Sequence, residues 1–265
     1  MNKKLFKLLT LCSVFFVVSC ADNKEVAEAS GDQGPIHRGP YYIEFLECNA
    51  GPDYSMENAQ KMLTDWKNLD HSEDLRWAGV HAPTGDNHRF DNGWWELEWT
   101  SEEAANKAWS TENAEFMAWA QKYESVMSCD GEGRYPWEFY LPRPSDSFGT
   151  VEAEDGYYAS AYLECNFNEG YGPSDLRASV VEYNSYLDNS NDVGPYYFGV
   201  YYPKYEDGAD FLWMNAHSTF DGMEAGNSDW EKNGTAMQAK FDTISNCASP
   251  DLYNSWQLLT VGAES

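Results

Sequence analysis

Acidic and imidazole side chains alternate with apolar residues in several segments predicted to be β-strands. In WWELEW, residues 94–99, the carboxylates Glu96 and Glu98 alternate with tryptophan and leucine. Successive side chains of a strand point to opposite faces, so the two carboxylates share one face. By the same alternation, Glu47 in YYIEFLECN and His81 in AGVHAP lie on the face opposite their apolar neighbours. These residue types could bind a ligand or transfer a proton.

Several carboxylates in one concavity cannot all stay charged and unpaired without a large cost in free energy. One arrangement that relieves this cost is the binding of a cationic or hydroxyl-rich small molecule beside aromatic rings. A second is a divalent metal held by glutamate and histidine. In a third, the carboxylates lie in water at the mouth of an open barrel. A small polar or cationic ligand is the expected occupant, and no metal is predicted.

The second half of the chain contributes a different set of side chains to the same predicted space. In FLWMNAH, Leu212, Met214 and Ala216 form the apolar alternation and are predicted to face helices, so the residues between them face inward. The predicted ligand-binding residues of both halves are Glu47, His81, Glu96, Glu98, Glu164, Tyr201, Trp213, Asn215 and His217.

The strands and helices that must position these residues belong to an internal sequence repeat. LECN occurs at residues 46–49 and again at 163–166, each time at the end of a predicted strand. AGVHAP corresponds to FGVYYP, and WWELEW corresponds to FLWMNA. Segments with helical periodicity separate these strands. Two units, residues 40–144 and 157–260, are therefore each predicted to have the order β-α-β-β-α-β.

This duplicated order resembles the dimeric α/β-barrel superfamily, in which two ferredoxin-like antiparallel sheets pack face to face. The resemblance implies an α+β fold whose barrel forms within one chain, so that the protein can act as a monomer. The superfamily includes small monooxygenases and haem enzymes, and fold alone transfers no function. The alternatives to ligand binding are a cofactor-free monooxygenase-like enzyme, with His81 or a glutamate of raised pKa transferring protons, and a scaffold that binds a partner.

Sequence motifs of catalysis are absent. The chain contains no GxSxG, HExxH, GxGxxG or P-loop pattern. The catalytic residues are therefore unknown from sequence, and no cofactor is predicted.

Four of the six cysteines lie in the predicted units, and four cysteines allow three pairings. The repeat favours one of these pairings. Cys48 to Cys129 and Cys165 to Cys247 have nearly the same separation, one pair per unit. We therefore predict two equivalent disulfides, which requires an oxidising compartment.

The N-terminus has the pattern of an export signal: MNKKLFK is basic, and the apolar run after it is too short to span a bilayer. The run ends in VVSC, which resembles the lipobox of bacterial lipoproteins. Residues 1–19 are therefore predicted to be a signal peptide, Cys20 the lipidated residue, and 20–39 a flexible tether. Ordinary secretory cleavage is the alternative. The expected location is the cell envelope, anchored in the membrane by lipid, at the outer membrane rather than the inner one.

The composition excludes one class of partner. The formal net charge is −27 at pH 7, which disfavours nucleic acid and anionic lipid headgroups. Aromatic residues make up 16% of the chain, enough to build a core despite the charge.

Overall fold

A computed structural model describes residues 38–85, 89, 92–144, 147–190, 194–206 and 208–261. The predicted signal peptide, Cys20 and nearly all of the tether lie outside these residues. Within the described residues, no helix is long and apolar enough to cross a membrane. The elements of the first half are β1 (Arg38–Ala50), α1 (Met56–Lys67), β2 (Leu75–Pro83), β3 (Trp94–Trp99), α2 (Glu102–Ser110), α3 (Ala114–Tyr123), β4 (Met127–Cys129) and β5 (Tyr135–Leu141). Those of the second half are β6 (Tyr157–Phe167), α4 (Pro173–Asp188), β7 (Tyr196–Pro203), β8 (Phe211–His217), α5 (Phe220–Asn233), α6 (Thr235–Ile244), β9 (Ser245–Cys247) and β10 (Asp251–Thr260).

Eight antiparallel strands close into a barrel. The strands follow one another in the order β10-β2-β3-β1-β5-β7-β8-β6, and β6 pairs with β10 to complete the ring. The two halves join edge to edge, through β5 with β7 and through β10 with β2. The fold is thus α+β with a closed antiparallel barrel, and closure leaves no free edge on these eight strands.

The second helical segment of each half is broken into two helices, where the sequence predicts one. In the first half Asn113 starts α3 by accepting a hydrogen bond from the Phe116 amide at its N-cap. In the second half Gly234 separates α5 from α6. A three-residue strand then follows, β4 in the first half and β9 in the second, and pairs with the strand that carries LECN.

Both predicted disulfides are confirmed. Cys48 lies directly opposite Cys129 across β1 and β4, and Cys165 lies opposite Cys247 across β6 and β9. The separations are 81 and 82 residues. Each bond therefore ties the first strand of its half to the end of the last helix.

Aromatic side chains fill the inner face of the barrel. The largest of them are almost fully excluded from solvent, among them Trp137, Phe45, Tyr201, Tyr253 and Tyr158. Two further clusters lie outside the barrel, between the sheet and the helices of each half. Each strand is therefore buried on both faces, so hydrophobicity does not mark one face as the inner one.

Candidate functional site

One buried carboxylate organises the polar groups of the barrel interior. Glu96 of β3 accepts a 2.8 Å hydrogen bond from the Tyr201 hydroxyl and a 3.3 Å hydrogen bond from the Tyr162 hydroxyl. His81 lies beside it, with Nε2 3.3 Å from Oε2 of Glu96. This imidazole stacks on Trp94 with ring centroids 3.8 Å apart. Glu96, His81 and Tyr201 face inward as the sequence predicts.

The histidine of this group is held neutral. Burial lowers the pKa of His81, and the neighbouring Glu96 only partly opposes that shift. Its Nδ1 hydrogen-bonds to the Ser255 hydroxyl at 2.8 Å, whereas Nε2 has no partner with hydrogen-bond geometry among the described residues. The 3.3 Å approach of Nε2 to Glu96 is therefore an electrostatic contact and not a hydrogen bond.

The other predicted carboxylates are spread along the barrel. Glu98 lies one side-chain step from Glu96, and burial together with the Glu96 charge raises its pKa to about 7. Glu164 pairs with Arg89, whose Nε lies 2.5 Å from Oε1. Glu47 is partly exposed. No group of three His, Cys, Asp or Glu side chains in the described residues could hold a metal ion. The four carboxylates therefore have different surroundings, from the buried Glu96 to the partly exposed Glu47.

The predicted orientation of β8 is wrong. Phe211 lies directly opposite Cys165 of β6, and both belong to the cluster between sheet and helices. Trp213, Asn215 and His217 follow Phe211 at alternate positions, so they face the helices. The apolar residues between them, Leu212, Met214 and Ala216, line the barrel interior instead.

A one-residue offset in the matching of the two halves accompanies this error. Counted from LECN, Leu46 lies opposite Trp95 and Leu163 lies opposite Trp213. Trp95 therefore corresponds to Trp213. The sequence comparison, which aligned WWELEW with FLWMNA, had paired Trp95 with Leu212 instead. A shift of one residue moves every side chain of a strand to the other face.

The reoriented β8 lines a cavity of about 410 Å³ in the second half, between the sheet and α4, α5 and α6. Aromatic and aliphatic side chains form most of its wall, with Asn215 and His217 as polar groups on the sheet side. The wall includes Leu163, Leu176, Tyr183, Trp213, Met223, Trp230 and Phe241. Size and lining are those of a small-molecule site.

Within this cavity Asn215 is held by side-chain hydrogen bonds, whereas His217 is held by packing. Oδ1 of Asn215 accepts hydrogen bonds from the Tyr196 hydroxyl and the Trp213 indole, both at 2.9 Å. The Tyr183 hydroxyl extends this chain to Tyr196, also at 2.9 Å. His217 is 5% exposed, and its ring nitrogens form no hydrogen bond with any part of the chain described above. Burial alone lowers its pKa to about 4, so the imidazole is neutral at pH 7.

The first half has a cavity of about 620 Å³ at the corresponding place, beside α1. Its wall includes Leu63, Val80, Trp95, Trp256 and Leu258. The positions that match Asn215 and His217 in β3 are Leu97 and Trp99, which are packed in the cluster between sheet and helices. Each half thus has a cavity outside the barrel, but only the second half has polar groups at these strand positions.

Sequence reasoning missed Glu44, which is 1% exposed on the helix-facing side of β1. Its carboxylate accepts hydrogen bonds from Trp109 at 2.7 Å, Trp99 at 3.1 Å and Arg134 at 2.6 Å. A tyrosine, Tyr42, donates a fourth at 3.2 Å. A carboxylate with this many donors is a structural anchor for α2 and the β4–β5 loop. Strand alternation could have located it, because Glu44 and Cys48 are an even number of positions apart and so lie on the same, helix-facing side of β1.

The structure is similar to solved structures of three kinds of protein. The first is described as a monooxygenase from Lactobacillus acidophilus NCFM, at 8% identity and a TM-score of 0.48, covering 83% of this chain and 93% of that chain. The second is a variant of chlorite dismutase from Candidatus Nitrospira defluvii, at 7% identity and a TM-score of 0.50, covering 83% and 92%. The third is an anthrone oxidase-like protein, at 12% identity and a TM-score of 0.45, covering 86% and 98%.

At identities this low, the similarity shows the fold alone. The shared fold is α+β, with a closed antiparallel barrel and helices outside it. No protein-family profile matches the chain. No curated protein matches it significantly either.

The expectation of no cofactor is contradicted, because the chlorite dismutases that share this fold are haem-binding proteins. A haem iron can be held by a single axial histidine, so a group of three ligands is not required. His217 fits that requirement, because its imidazole is neutral at pH 7 and lines the cavity beside aromatic rings.

Proposed function

We propose that the protein binds a flat aromatic small molecule in the second-half cavity, with His217 as its polar contact. One observation carries this proposal: the buried imidazole faces a cavity and has no hydrogen-bond partner in the described residues. The His217 ring nitrogens are not sealed off inside the protein, so a ligand in the cavity can reach them. A hydrogen bond to such a group typically contributes about 0.5–1.5 kcal/mol.

The proposed site lies outside the barrel, although the sequence favoured a polar or cationic ligand between the sheets. Tyr158, Tyr162, Tyr201 and Trp94 occupy the space around Glu96 and are almost fully buried. In the second-half cavity, by contrast, rings such as Trp213 and Trp230 border open space. Aromatic rings stack on flat aromatic ligands, which favours that ligand class.

The test begins with native mass spectrometry of protein purified from its own host, to detect a retained small molecule. A titration with 2-naphthol, a flat aromatic molecule with one hydroxyl group, then measures affinity in stripped protein. Loss of one hydrogen bond in His217→Leu should weaken binding about tenfold. His71→Leu, which changes a histidine outside both cavities, should leave the affinity unchanged. Equal affinity in wild type and His217→Leu would exclude the proposed contact.

A second candidate function is a haem-dependent oxidoreductase, which differs from the cofactor-free monooxygenase-like enzyme expected from sequence. The neutral imidazole of His217 favours it, since haem iron takes an unprotonated nitrogen. Bound haem would supply the redox chemistry, while His217 would hold the iron and Trp213 and Phe241 would exclude water. Haemin titration should give a Soret shift in wild type that is lost in His217→Leu. No shift in wild type would remove this candidate.

We also propose that the chain is a tandem of two ferredoxin-like units anchored by a lipid at Cys20. The strand orders β5-β1-β3-β2 and β10-β6-β8-β7 support the tandem. The two disulfides support export to an oxidising compartment. Mass analysis of the mature N-terminus tests the anchor, which an unmodified terminus at any other residue would exclude.

A further inference from the structure

Two tyrosine hydroxyls share one buried carboxylate inside the barrel. Tyr201 donates to Oε1 of Glu96 at 2.8 Å, and Tyr162 donates to Oε2 at 3.3 Å. The exposed fractions of the three side chains are 1%, 6% and 3% for Tyr201, Tyr162 and Glu96. Water is thus kept from the phenol of Tyr201, and the Glu96 oxygen is the base within hydrogen-bond distance of it.

We propose that Tyr201 is a redox-active tyrosine whose oxidation is coupled to proton transfer to Glu96. One electron leaves the Tyr201 ring for a one-electron oxidant such as a high-potential metal complex. The phenolic O–H bond breaks, and its proton forms a new O–H bond at Oε1 of Glu96. The products are a neutral tyrosyl radical, a protonated Glu96 and the reduced oxidant. When the electron returns, the proton moves back from Glu96 to the Tyr201 oxygen.

Electrostatics requires that the proton and the electron leave together. Burial and the Glu96 charge raise the pKa of Tyr201 well above its usual range, so the phenolate is not available beforehand. A phenol radical cation in this apolar interior would be an uncompensated charge of high free energy. Transfer across the 2.8 Å hydrogen bond removes that charge as it forms.

Aromatic rings connect this buried pair to a partly exposed surface. The Tyr201 ring lies 6.4 Å from Trp137, and Trp137 lies 5.4 Å from Tyr205, between centroids. Tyr205 in turn lies 5.5 Å from Tyr135. Both outer tyrosines are only partly buried. An oxidant in solvent can therefore draw an electron from Tyr201 through Tyr205 and Trp137 without entering the barrel.

The same chain contains a matched tyrosine cluster that lacks the base. In the second-half cavity Tyr183 bonds to Tyr196, and Tyr196 donates to the amide oxygen of Asn215. Both tyrosines are 7% exposed. An amide oxygen is a far weaker base than a carboxylate, so Tyr196 has a hydrogen bond but no proton acceptor. This difference isolates the role of Glu96.

The experiment generates a ruthenium(III) tris-bipyridine oxidant by laser flash in the presence of the full-length protein. The radical is trapped by freeze-quenching and observed by electron paramagnetic resonance. Ring-deuterated tyrosine assigns the signal to tyrosine. Tyr201→Phe should abolish the early radical, Tyr196→Phe should leave it intact, and Glu96→Gln should slow its formation about 100-fold, the lower end of what a positioned base contributes.

A second measurement uses wild-type protein, so the test does not depend on whether Glu96→Gln folds. Formation of the radical should be slower in deuterium oxide, because the transferred proton moves with the electron. A radical of wild-type yield in Tyr201→Phe, or a rate unaffected by deuterium oxide, would overturn the proposal. Neither result bears on ligand binding at His217, which lies on the opposite face of the sheet.

Discussion

Gly226 of α5 lies against the imidazole of His217. A Cβ built on this glycine would lie 3.0 Å from Cε1 of His217 and 3.8 Å from each ring nitrogen. The helix therefore approaches the histidine as closely as it does because residue 226 has no side chain. The cavity wall at this point depends on that absence.

Gly226→Val should destabilise the protein and block the second-half cavity. Overpacking of this kind typically costs about 1–3 kcal/mol, and His217 must move to relieve it. Chemical denaturation and 2-naphthol titration measure the two effects. The matched control is Gly222→Ala in the same helix, where the nearest atom to the added Cβ is 3.4 Å away. This control should keep ligand affinity and gain up to about 1 kcal/mol of helix stability. Normal affinity in Gly226→Val would contradict the contact.

His217 should make the protein less stable in mild acid. Its pKa is about 4 when folded and 6.5 when exposed, so between these values only the unfolded chain binds the extra proton. Stability is therefore lost as pH falls from 6.5 to 4, by on the order of 3 kcal/mol. Denaturation curves of wild type and His217→Gln, compared across this range, isolate the contribution of His217 to the free energy of unfolding. Parallel curves would show that His217 takes up its proton equally in both states.

Glu98 should have the opposite effect in the same pH range. Its pKa is about 7 when folded against 4.5 in the unfolded chain, so the folded state binds more protons between these values. Stability is then lost as pH rises from 4.5 to 7. Glu98→Gln removes this loss and should stabilise the protein at pH 8, by about 2 kcal/mol after allowance for partial exposure. At pH 4 the two proteins should be equally stable. A variant that is less stable at pH 8 would refute the raised pKa.

Glu44→Gln should be strongly destabilising. The change leaves Arg134 without its charged partner and replaces an acceptor oxygen with an amide donor facing donors. Breaking a buried pair in this way costs about 3–5 kcal/mol, measured as the free energy of unfolding. Glu47→Gln on the same strand is the control, because Glu47 is partly exposed and should change stability by less than about 0.5 kcal/mol. Similar losses in both variants would argue against the anchor.

Local sequence was sufficient for the features that depend on periodicity and repetition. The two LECN strands and both disulfides follow from the duplicated pattern, because equivalent cysteines in equivalent elements meet equivalent partners. The barrel was implied by the resemblance that this pattern carries. The inward direction of Glu96 and His81 was also predictable. In those strands Leu97 and Val80 mark the helix-facing side, so the polar residues beside them point the other way.

Tertiary structure alone decided which way β8 faces. Both faces of that strand are buried. Leu212 and Met214 pack in the barrel interior, and Trp213 packs against the helices. Hydrophobicity then gives no preference, and the pairing of Phe211 with Cys165 sets the register. That pairing moves His217 from the barrel interior to a cavity beneath the helices. The candidate ligand site therefore depends on a long-range strand register, which no local pattern of residues encodes.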